Sequence, residues 1–205
     1  MLRAMIALVL AALVPLAADR SAALESRATD TAVLLDGLCP DAEWRDASRI
    51  ALDATHELRL MHDAEFAYAC ITGPADEPIT LDLYLRGSRA GPPANLHASA
   101  QVGERLRGAR GWPPYDWWNH RDWYSPAVPF TGMEGEGGER RAKFATGRPR
   151  ELQILRARFG DGPWHAMLAV GGRRTADGSW QPLVYPPGAK DDAPDGWIEW
   201  RFAPD

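Results

Sequence analysis

The eight residues from Ile79 to Arg86 alternate without a break: Ile79, Leu81, Leu83 and Leu85 are apolar, and Thr80, Asp82, Tyr84 and Arg86 fill the positions between. A period of two sends the two sets to opposite faces of an extended strand. One face therefore needs a core and the other can meet water. A strand of this kind is stable only with neighbours on either side and a layer over its apolar face.

Other segments supply such neighbours. Phe66, Tyr68 and Cys70 alternate, and Glu151 to Phe159 reads as a strand ending at the turn Gly160-Asp161-Gly162. Trp164–Arg174 and Ser179–Tyr185 flank Asp177-Gly178, a strong two-residue hairpin signal. With that turn, Val170 opposes Tyr185 and Gly172 opposes Leu183. Leu168, Val170, Leu183 and Tyr185 then share one apolar face. Trp197–Phe202 closes the chain's strands, with Ile198, Trp200 and Phe202 on one side.

The covering layer is expected from helices near the N-terminus. Thr31–Leu38 has a short helical pattern, with Asp30 placed as cap and Gly37 near its end. From Pro40 onward, Trp44, Ala47, Ala51, Ala54, Leu58 and Met61 recur at spacings of three and four, as on one face of a helix. A third short helix is expected over Ser99–Arg107. The fold class this predicts is α+β: N-terminal helices on a mostly antiparallel sheet, a long irregular segment at 108–149, then a C-terminal β-meander.

The first residues have the three-part layout of a secretory signal: Arg3, the apolar run Ile6–Ala18, and the small residues Ala17, Ala18, Ala22 and Ala23. The 13-residue apolar run is short of the about 20 needed to span a bilayer. Residues 1–23 are thus read as a signal peptide cleaved after Ala18 or Ala23, leaving residues 24–205 as one domain. No stable membrane span is expected in the mature chain, which would work in the periplasm or outside the cell. Export gives Cys39 and Cys70, the only cysteines, a compartment where one disulfide is the default.

Function is less legible. The net charge of -5 does not suit nucleic acid. Residues 101–174 nevertheless carry 13 basic and 8 acidic side chains, which would favour an anionic envelope partner. Seven of the 19 aromatic residues lie within residues 112–130. Aromatic faces stack on sugars and other flat ligands, and they also pin loops to a sheet. Trp112, Tyr115, Trp117, Trp118, Arg121 and Trp123 form the candidate binding set. Asp116, His120 and Asp122 are the acid–base candidates, because a carboxylate can orient an imidazole as general base. Walker, Gly-x-Ser-x-Gly, His-Glu-x-x-His and Cys-x-x-Cys motifs are absent from the sequence, and neither a metal site nor a cofactor is expected.

The reading that follows is an exported, disulfide-bonded protein that binds an envelope protein, a glycan or a wall component without covalent chemistry. Its rivals are a secreted hydrolase or lyase built on Asp116, His120 and Asp122, and an accessory domain whose aromatic cluster is core. The sequence leaves the oligomeric state open.

Overall fold

A computed structural model describes residues 23–128 and 130–204. The expected signal peptide therefore lies, but for its last residue, outside the described residues. Among the described residues no helix is long and apolar enough to cross a membrane.

The chain is built almost wholly of strands. First come β1 (Leu24–Ala28), β2 (Ser48–Ala51), β3 (Glu57–His62), β4 (Phe66–Thr72) and β5 (Thr80–Arg86). Next are β6 (Ala94–Ala98), β7 (Val102–Leu106), β8 (Asp116–Trp117), β9 (Trp123–Tyr124), β10 (Phe130–Glu134) and β11 (Arg141–Phe144). The last are β12 (Arg150–Leu155), β13 (Trp164–Gly171), β14 (Leu183–Tyr185) and β15 (Ile198–Phe202). The one α-helix among the described residues, α1 (Arg156–Phe159), is a single turn.

Thirteen strands form one curled sheet in the order β8-β7-β6-β5-β13-β15-β1-β3-β4-β12-β9, with β14 added to β13 and β2 to β3. β1 is the hinge of the curl. Its first residues, Leu24 to Ser26, pair in parallel with β15, and its last, Arg27 and Ala28, pair in parallel with β3. The two halves of the sheet thus lie over one another. Leu81, Leu83 and Leu85 of β5, Leu58 and Leu60 of β3, Ile71 of β4, Ile154 of β12 and Trp164 of β13 fill the space between. β10 and β11 pair only with each other, in a separate hairpin.

The expected α+β class, with its helical cover, is overturned. In place of the first helix, residues 29–47 run as an irregular strap across the outer face of the half that contains β3 and β4. Trp44 and Ala47 pack there with Met61, Tyr68 and the two cysteines. The apparent helical spacing from Trp44 to Met61 joins residues from three different places. Asp53 interrupts it: its Oδ1 accepts the N–H groups of Thr55, at 2.8 Å, and His56, at 2.8 Å, closing a side-chain turn between β2 and β3. Ala51 and Ala54 are exposed, so they have no part in a buried face. Ser99–Arg107 is a turn and strand β7, hairpin-paired with β6 so that His97 opposes Gly103. The segment 108–149 is not structureless either, since it holds β8 to β11.

The C-terminal hairpin forms, with its register moved by two residues: Leu168 opposes Tyr185 and Val170 opposes Leu183. Thr175 N–H bonds to Ser179 O, so the connection is longer than the two residues Asp177-Gly178. A shift of two preserves the faces. Leu168, Val170, Leu183 and Tyr185 still share the inner side.

The strap is held at two points. Cys39 and Cys70 are disulfide-bonded, with Cα atoms 6.5 Å apart across 31 positions of sequence. Beside them Glu151 of β12, fully buried, accepts the Gly37 N–H at 2.6 Å, the Cys39 N–H at 2.9 Å and the Trp44 Nε1–H at 3.3 Å. Burial raises the Glu151 carboxyl above its ordinary value, against the pull of these three donors.

Two expectations follow. Reducing the disulfide should destabilise the chain by about 3–4 kcal/mol, the loop-closure value for this spacing; a thermal melt with and without reductant reads it, and an unchanged midpoint would contradict it. Glu151→Ala strands three donors, each costing about 1–3 kcal/mol when left buried and unpaired. It should therefore destabilise by roughly 3 kcal/mol or more in urea unfolding.

Candidate functional site

The outer face of the β5–β6–β7 half is where polar chemistry collects. Inward burial of Leu81, Leu83 and Leu85 turns Asp82 and Tyr84 outward. On β6 the same parity turns Asn95 and His97 to the outer face, and on β7 Gly103 and Arg105, with Asn95 and Gly103 buried beneath their neighbours. Cross-strand register then aligns Asp82 with His97, His97 with Gly103, and Gly103 with Trp117 of β8. One row lower, Tyr84 opposes Asn95 and Asn95 opposes Arg105.

Asp82 Oδ1 is the focus of this network. His97 Nδ1 lies 2.9 Å from it, the Tyr115 hydroxyl 2.6 Å and Asn95 Nδ2 3.4 Å. All three contacts fall on Oδ1, which leaves Oδ2 for another donor. Burial alone would raise the Asp82 carboxyl; the hydrogen bond from His97, followed by those from Tyr115 and Asn95, outweighs it and holds the group below its ordinary value. Burial and the neighbouring Asp82 charge push the Tyr115 hydroxyl well above the usual phenol range, so it remains a donor. His97 Nε2 is 2.8 Å from Ser99 Oγ, at the turn into β7.

Aromatic rings frame these groups. The Arg105 guanidinium sits 4.4 Å from the Tyr115 ring centre and 5.3 Å from that of Trp112. Trp112 meets Tyr84 edge-on and donates Nε1–H to Asp191 O, which pins its own loop and the 186–197 loop over the sheet. Trp117 is different, because 43% of it remains exposed. Its ring lies over Gly103, where an added Cβ would stand 2.8 Å from Cε3, so only glycine admits it this closely. Tyr115 lies 4.8 Å away at a shallow angle and His97 meets Trp117 edge-on at 5.4 Å. A flat, fixed and solvent-facing ring thus stands on the same face as an ionised carboxylate, with His97 and Tyr115 between them.

The candidate binding set is split by the fold. Trp112, Tyr115 and Trp117 share the outer face. Trp123 faces inward, 5% exposed within the core, and donates Nε1–H to Glu104 at 3.0 Å. Trp118 is exposed and carries a left-handed φ of 63°, while Arg121 is exposed and its carbonyl accepts from Arg158. The acid–base candidates are not joined to one another: Asp116 accepts from Asn119, the exposed His120 meets Trp123 and Tyr124 by ring contact, and Asp122 sits in a left-handed turn. Among the described residues no group of three or more His, Cys, Asp or Glu side chains could hold a metal ion.

Asp82, Asn95, His97, Gly103 and Arg105 were not among the candidates read from sequence. The signal for Asp82 was present in the alternation of Ile79–Arg86, whose polar positions mark the outer face. What joins it to His97, 15 residues on, is strand register, which no local motif records.

Neither a protein-family model nor a curated protein matches the sequence. Among solved structures, a family 9 carbohydrate-binding module from Caldicellulosiruptor kristjanssonii, determined in complex with cellotriose, aligns over 89% of this chain and 94% of that one. The TM-score is 0.53 at 10% identity. A candidate carbohydrate-binding protein from Bacteroides uniformis aligns over 89% of this chain and 100% of that one, with TM-score 0.49 and 9% identity. At such identities the likeness to the first is one of fold. The chain has the curled, mixed-sheet β-sandwich architecture of that module.

The lowered Asp82 carboxyl gives a pH expectation with a definite sign. Its contribution to stability is complete above the unfolded value near 3.8 and is lost as pH falls through the lower folded value. Melts of wild type and Asp82→Asn between about pH 3 and pH 7 should show the difference in stability shrinking on the acid side. A constant difference would contradict it.

Proposed function

We propose that this chain is an exported glycan-binding module whose ligand lies on Trp117 with a hydroxyl directed to Asp82. The observation that carries the reading is the exposed Trp117 ring, fixed over Gly103 and in line with His97 and Asp82 across the sheet. A pyranose has an apolar C–H face that suits an indole, and ring hydroxyls that suit an ionised carboxylate. Rigid strands present both, so little ordering is needed on binding. The fold shared with a module solved with cellotriose supports the same ligand class. The disulfide and the apolar run at residues 6–18 support a location where thiols oxidise.

The test is affinity electrophoresis in gels containing soluble β-glucan or xylan, with calorimetry on cellotriose. Trp117→Ala should weaken binding by roughly tenfold or more, about 1.4 kcal/mol. Gly103→Val, which displaces the ring without removing it, should weaken binding in the same way. By contrast Trp123→Ala should act on stability, costing about 3–5 kcal/mol as for a packed interior tryptophan. Binding that survives Trp117→Ala unchanged would remove this surface from the reading.

A further inference from the structure

We propose that Asp82, His97 and Ser99 form a nucleophilic relay that hydrolyses acyl esters, with Ser99 Oγ as the attacking atom. The connectivity is the argument. Asp82 Oδ1 faces His97 Nδ1 at 2.9 Å, and His97 Nε2 faces Ser99 Oγ at 2.8 Å. A carboxylate on Nδ1 fixes the tautomer that carries its proton there, so Nε2 presents a lone pair to the serine hydroxyl. This is the order of contacts a serine nucleophile requires: base within reach of the hydroxyl, orienting acid on the far ring nitrogen.

The sheet makes the arrangement rigid. Asp82 and His97 are direct cross-strand partners, and Ser99 follows His97 by two residues on the same outer face. Tyr115 donates to the same Asp82 oxygen, holding the carboxylate in place and ionised. Ser99 stands at the turn between β6 and β7, half-buried, and its hydroxyl also has Gln101 O as an acceptor at 3.0 Å, which it gives up when it donates to His97 Nε2. Its Oγ also accepts the Gln101 N–H at 3.2 Å, a donor that remains when the hydroxyl proton leaves and so favours the developing alkoxide. The Ala100 N–H, next after Ser99, is the backbone donor the relay would offer to a substrate oxyanion.

The reaction balances on these groups alone. Ser99 Oγ bonds to the ester carbonyl carbon as its proton passes to His97 Nε2. The C–O bond to the alcohol then breaks, and the alcohol leaves with that proton. Water attacks the acyl-serine, gives its proton to His97, and releases the carboxylic acid as Ser99 recovers its hydrogen. For the alcohol we rely on the glycan reading: a sugar on Trp117, whose ring meets that of His97 at 5.4 Å, would bring acylated hydroxyls to the face that carries the relay. An O-acylated glycan is thus the substrate class.

The test uses the full chain with its disulfide intact. A fluorophosphonate probe should label Ser99, mapped by mass spectrometry, in folded but not heat-unfolded protein. p-Nitrophenyl acetate and acetylated xylan should both be hydrolysed, and Ser99→Ala and His97→Gln should each slow this by roughly 10²–10⁴-fold. Mapping the adduct on wild type keeps the test independent of whether a variant folds. A folded wild type that is unlabelled at Ser99, or hydrolysis that persists in Ser99→Ala, overturns the relay. Polysaccharide binding without labelling overturns the relay alone. Labelling and ester hydrolysis without polysaccharide binding uphold it and overturn the glycan reading instead.

Discussion

Burial of Leu81, Leu83 and Leu85 between the two halves of the sheet decides which way every neighbouring side chain of β5 must face. Because the period is two, the same burial that forms the core delivers Asp82 and Tyr84 to the outer surface. β6 and β7 inherit the parity through their hydrogen-bonded register, which aligns His97, Gly103 and Trp117 with Asp82. Core and site are two faces of one constraint. A slip of a single residue would exchange them, drawing the carboxylate into the interior and exposing leucines.

In the opposite half of the sheet, the outer face of β3 and β4 is covered. Residues 29–47 lie across it without regular structure, and irregular backbone can be buried only where its polar groups find partners. Glu151 provides them, taking two backbone amides and an indole from the strap. The disulfide adds a covalent tie at the same place. The strap thus covers the middle of one half, while polar and aromatic side chains make up the outer face of β5 to β8.

Much of this was legible in the strand half of the sequence and little in the rest. The alternation of β5, the edges of β13 and β15, and the pairing of the two cysteines all follow from local pattern or from having only one partner available. The helices failed for a physical reason. Trp44, Ala47, Leu58 and Met61 sit at helical spacing because a strap and a strand each contribute part of the series, and Asp53 turns the chain between them. The aromatic cluster was correctly marked as dense, but density does not sort Trp123, in the core, from Trp117, on the surface. Nor can spacing align Asp82, His97 and Trp117, which come into line only once the four strands β5 to β8 have taken their register.

The placement of β1 has a temporal consequence. The seam between the two halves of the sheet is made by β1 lying beside β15, the first and last strands of the fold. Nothing that lies between them in sequence can close it. As the chain emerges vectorially, β3 to β7 can zip into hairpins, yet the interior stays open along one side until residues 198–202 arrive. Closure therefore waits for β15 and has a large loop to close, of the slow, high-contact-order kind.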